Sequence, residues 1–152
     1  MKKLIAVCSS VLLLMVAFYF VFRSTGGDVQ PLPIQDGVEI ISISRITKQG
    51  ETVTNDSISG DEIGADLSAA LLDHLRNASM TARPISAPGS LNMTEAYDHI
   101  SLWLQKADSS TFRINLSSEK GCSNVEEDGT YFGINDPAPL LQEAAALLDG
   151  KT

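Results

Sequence analysis

A chain of 152 residues with 19 acidic and 11 basic side chains, net −8, has room for one ordinary core and not two. Only Lys2, Lys3 and Arg23 carry charge before residue 28, so the part beyond residue 23 holds 19 acids against eight bases, a net −11. A body this acidic disfavours nucleic acid as a partner, because phosphate binding needs Lys/Arg clusters, and no nucleic acid is expected; it also disfavours lying flat on anionic lipid.

Leu4 to Phe22 is an uncharged apolar run. At about 1.5 Å per residue it spans roughly 28 Å as a helix, close to the ~30 Å hydrocarbon thickness of a bilayer, and it exceeds the usual ~7–15 apolar residues of a secretory leader. Residues 1–23 therefore read as a retained membrane anchor, with cleavage after the run, near Ser24-Thr25-Gly26, as the alternative. Cys8 follows only four apolar residues and makes a poor lipidation site. Lys2 and Lys3 place the N-terminus in the cytoplasm and the acidic part outside, in a single-pass protein of the cell membrane. If the leader is cleaved, the same part is secreted.

Residues 24–36, with Gly26-Gly27, Pro31 and Pro33, read as a tether. Residues 37–150 then form the extracytoplasmic domain. Gly37 to Thr47 alternates as a strand, with Ile41, Ile43 and Arg45 on one face and Ile40, Ser42, Ser44 and Ile46 on the other. A loop or hairpin turning at Gly50 follows. The spacing of Ile63, Leu67, Ala70, Leu71 and Leu75 predicts a helix that starts at a Ser59–Glu62 capping box and stops near Asn77. Thr81 to Ile85, with Pro84, suits a short edge strand.

Ala96 to Gln105 and Thr111 to Ser117 predict two strands of a hairpin. Ile100, Leu102 and Leu104 share one face of the first, and Tyr97, His99, Ser101 and Trp103 the other; in the second, Arg113 and Asn115 point away from Phe112, Ile114 and Leu116. Asp128-Gly129 predicts a narrow hairpin turn. Asp136-Pro137 opens a last helix that Gly150 ends. The order implies an α+β fold: an N-terminal transmembrane helix, then a small domain with an antiparallel sheet of four or five strands and two helices on one face.

The chemistry-bearing residues are sparse. Asp73-His74 and Asp98-His99 are neighbours in sequence, which turns their side chains apart, and no Gly-x-Ser-x-Gly elbow is present. His74, His99 and Cys122 lack metal-ligand spacing. No metal and no cofactor is expected, and the chain does not read as an enzyme. A small envelope hydrolase using His99 with a nearby serine, and a purely structural envelope component, are the alternatives. Four Asn-x-Ser/Thr triplets, at Asn55, Asn77, Asn92 and Asn115, are read as coincidental. The candidate binding surface is the strand face carrying Tyr97, His99 and Trp103, joined by Arg113, with a protein or peptide as partner.

The stretches "DEIGADLSAALLDHLRNASMTARPIS", "YDHISLWL" and "EDGTYFGI" resemble an uncharacterised extracytoplasmic domain family of Gram-positive, clostridia-like bacteria, over roughly residues 38–135. The resemblance implies a bacterial envelope setting and carries over no catalytic residue. Cys122 and "SNVEEDG" depart from the family's more tyrosine-rich last hairpin.

Overall fold

The computed structural model describes residues 29–88 and 96–150. The anchor expected at residues 1–23 lies outside them, and no helix among the described residues is long and apolar enough to cross a membrane. The chain runs β1 (Val29–Pro31), β2 (Glu39–Gln49), β3 (Thr52–Ser59), α1 (Ala65–Arg76), β4 (Ser79–Thr81), β5 (Tyr97–Gln105), β6 (Thr111–Ser117), β7 (Asn124–Glu127), β8 (Thr130–Gly133) and α2 (Pro137–Asp149). Strands β3-β2-β5-β6-β7-β8 form one sheet, antiparallel at every pairing, and β1 pairs with β4 separately. The α+β architecture with two helices stands. The main sheet has six strands rather than four or five.

The sixth strand is β3. It is polar on both faces and exposed along nearly its whole length, so it lacks the alternation that marks a strand lying over a core. Gly50 at φ 62° makes the two-residue turn that folds it back on β2. At the other end, Asp128 and Gly129, at φ 48° and 73°, close the β7–β8 hairpin.

The expected tether is shorter at its C-terminal end. Val29–Pro31 pairs with Ser79–Thr81, and Leu32 and Ile34 are buried in the core. Pro31 is tolerated because β1 is an edge strand. Residues 29–36 therefore pack with the domain rather than standing outside it.

The face assignment of β2 changes part-way along the strand. Ile40 opposes Leu104 and Ser42 opposes Trp103, so Ile41 is an extra, bulged residue. Ile40 and Ile43 both reach the core, and Ile41 does not. Gly60 sits against this bulge: a Cβ there would lie 3.1 Å from the Ile41 carbonyl oxygen, a tight contact that the backbone would have to relieve by a few tenths of an ångström.

Helix α1 begins at Ala65, later than the capping box at Ser59 suggests. Glu62 does reach back to the Ser59 amide and hydroxyl, but residues 60–63 form a turn, since Gly60 and Gly64 resist helical φ/ψ. Leu67, Leu71, Leu72 and Leu75 of α1 and Leu140, Leu141 and Ala144 of α2 bury one face of the sheet. There Ile100, Leu102, Leu104, Ile114, Leu116 and Val125 have no exposed surface. Arg45 ties this side together, bonding both carboxylate oxygens of Asp98 (3.0 and 2.7 Å) and Asp149 at the end of α2 (2.5 Å). His74 of α1 meets Glu143 of α2.

Candidate functional site

The register fixes what stands on the face away from the helices. One row crosses the sheet as Ser42, Trp103, Arg113, Glu126 and Tyr131; the next as Ser44, Ser101, Asn115, Asn124 and Gly133; a third holds Ile46, His99 and Ser117. The four residues singled out in the sequence share this face but fall in two groups. Trp103 and Arg113 are direct cross-strand partners. Tyr97 and His99 lie further along β5.

Trp103 is 40% exposed. The Arg113 guanidinium stacks on its ring, 5.1 Å from the centroid, within the range of a cation–π contact. Glu126, opposite Arg113 on β7, holds that guanidinium through Nε (3.0 Å) and a second nitrogen. Trp103, Arg113 and Glu126 thus form one locked array on three strands.

Tyr97 differs from the sequence reading: it is 7% exposed and not part of a free surface, and its hydroxyl is buried with no hydrogen-bond partner among the described residues. His99 is half-buried, and its Nδ1 is likewise unpartnered. The other ring nitrogen ends a directional chain. The Asn124 amide donates to the Cys122 carbonyl (2.9 Å), the Asn115 amide donates to Asn124 Oδ1 (3.0 Å), and the Ser101 hydroxyl donates to Asn115 Oδ1 (2.5 Å). Ser101 has one proton and has already given it. What it offers His99 Nε2, at 3.3 Å, is a lone pair. Nε2–H is therefore the donor in this contact. Burial lowers the His99 pKa first and the positive charge of Arg113 lowers it further, against an opposing pull from Asp98, which favours the neutral ring.

This polarity bears on catalysis. A serine nucleophile must donate its proton to the imidazole, and here Ser101 faces the wrong way and is buried. Asp98, next in sequence to His99, is taken up by Arg45 on the helix side. The Asn-x-Ser triplet at Asn115 also has its amide enclosed in this network. Cys122 is buried, and its thiol pKa is raised by that burial and by Glu119. Among the described residues no three His, Cys, Asp or Glu side chains gather as metal ligands.

On the helix side a cleft of about 720 Å³ runs along α2 beside the β6–β7 turn. Leu141, Ala145 and Ile134 line it together with Asp98, Gln142 and Asp149. Both aspartates are engaged by Arg45.

Sequence reasoning did not foresee Glu126, Asn124 or the role of Ser101. Glu126 is legible once the β6–β7 register is known. The buried amides have only a weak signal, polar residues recurring at alternate strand positions. No family model, no curated protein and no solved structure matches the chain.

Proposed function

We propose that this is a non-enzymatic binding or accessory domain, tethered by residues 4–22 to the membrane with the domain on the outer side, and that Trp103 and Arg113 contact a protein or peptide partner. The observation that carries the reading is the Trp103–Arg113–Glu126 array: the chain's single tryptophan stands exposed on the face that neither helix covers, pre-positioned by a stacked and ion-paired arginine. Tryptophan and arginine are the side chains most enriched among energetically dominant contact residues, and rigid placement lowers the entropic cost of binding. The inverted Ser101–His99 polarity weighs against the hydrolase alternative. The apolar length of Leu4 to Phe22 and the resemblance to an extracytoplasmic family support the location.

The test uses the full chain in membranes. Native protein recovers a partner after cross-linking, and Trp103→Ala reduces that recovery at least tenfold while the circular dichroism of the purified variant is unchanged. Equal recovery by a folded Trp103→Ala chain refutes the surface. Protease added to intact cells digests the domain if it lies outside; full protection refutes the location.

A further inference from the structure

The two edges of the six-stranded sheet end differently. Beyond β8 the chain closes its own edge: Met80 and Ile85 bridge to Ile134 and Tyr131, Thr81 Oγ1 accepts from the Gly133 amide, and β1 lies outside β4. At the opposite edge β3 pairs only with β2 among the described residues, and every residue except Ile58 is exposed. Natural edges are blunted by proline, lysine, bulges or cover. Strand β3 has no proline and no lysine, its register with β2 is continuous from Thr52 to Ser59, and its single charge is Asp56.

We propose that β3 is a self-association edge, pairing antiparallel with β3 of a second copy about a two-fold axis normal to the sheet. Four features of the edge favour this occupant. A two-residue hairpin turn makes Gln49–Thr52 a hydrogen-bonded pair, so by the alternation of an antiparallel ladder Thr52, Thr54, Asp56 and Ile58 turn their backbone groups toward β2. Val53, Asn55 and Ser57 therefore present theirs to the open edge. A two-fold axis normal to the sheet keeps corresponding faces on the same side, so each residue must face one of the same parity. The longest such overlaps centre on Asn55 or on Asp56. Centring on Asp56 sets two carboxylates directly opposite each other, which is destabilising. Centring on Asn55 sets Asn55 against itself, Val53 against Ser57 and Thr54 against Asp56, where the threonine hydroxyl can donate to the carboxylate. Finally, the pairing is isologous and uses up β3 of both copies, so it ends at a dimer.

The register makes the proposal testable in the full-length protein. Asn55→Cys places two sulfurs across the axis with Cα atoms about 5.5 Å apart, within disulfide reach, whereas Thr52→Cys leaves them about 20 Å apart, six residues at ~3.4 Å each. Mild oxidation is expected to give a covalent dimer of Asn55→Cys, and no more from Thr52→Cys than from the unsubstituted chain. Asn55→Asp puts like charges at the axis and is expected to weaken dimerisation at least tenfold in sedimentation velocity, with circular dichroism unchanged because the position is exposed. A monomer at all concentrations up to about 100 µM overturns the proposal, as does cross-linking of Thr52→Cys to the same extent as Asn55→Cys, or a dimer indifferent to Asn55→Asp. A monomer that instead binds a foreign strand at β3 also overturns it.

Discussion

Along β5 the side chains alternate between two chemistries. Ile100, Leu102 and Leu104 point to the helices and have no exposed surface; His99, Ser101 and Trp103 point the other way, and Trp103 keeps 40% of its surface in water. The helix face is held by apolar area and close packing, and its specificity comes from shape. The outer face is not the one packed against α1 and α2, and it holds its order differently, through amide and hydroxyl groups that use up one another's donors in a fixed direction, and through an arginine clamped between a ring and a carboxylate. The lesson is that the two faces of one strand can be ordered by different means, one by packing and the other by a chain of polar contacts that leaves the Tyr97 hydroxyl and His99 Nδ1 outside it.

The largest test of that contrast is Leu102→Ala on the helix face. It leaves a cavity under α1 and α2 and is expected to cost about 2–5 kcal/mol in urea unfolding. On the outer face Asn124→Ala strips partners from the buried Asn115 amide and the Cys122 carbonyl, with an expected cost of about 1–3 kcal/mol. The double variant Asn115→Ala/Asn124→Ala should cost less than the sum of the two single changes, since the second removal no longer strands a donor; strict additivity would break the network reading. Trp103→Ala removes the largest side chain on either face, yet is expected to cost about 1 kcal/mol or less, because little buried volume and one cation–π contact are lost. A cost comparable to Leu102→Ala would move Trp103 into the core and end the comparison.

The smallest effect is on pH dependence. His99 in the folded chain holds a pKa below its ordinary value, while the unfolded chain regains about 6.5. The unfolded state then binds the extra proton first. The neutral-ring contribution to stability is therefore complete above about pH 6.5 and declines as pH falls from there toward the folded value. His99→Gln should flatten that part of a stability–pH curve; an unchanged slope would assign the titration elsewhere.

Much of this fold is legible residue by residue, and the exceptions share a cause. The β5–β6 and β7–β8 hairpins, the cores of both helices and the Asp128-Gly129 turn follow from local alternation, helical spacing and backbone chemistry. What escaped depends on distant partners. The Ile41 bulge is set by pairing with β5 and by the close approach of Gly60. Strand β3 is recruited by β2 rather than by a core. Val29–Pro31 becomes a strand only because β4 lies beside it. In the candidate site, the common face of Tyr97, His99, Trp103 and Arg113 could be read from parity alone, but the burial of Tyr97 and the Glu126 clamp could not, since both depend on strands far apart in sequence.

The exposed indole has a practical consequence. As the chain's single tryptophan, Trp103 is an intrinsic fluorophore, and the stacked guanidinium sets its local polarity. Its emission maximum and its access to acrylamide therefore give a label-free optical signal from one known spot on the sheet, against which any solution condition or added molecule can be titrated.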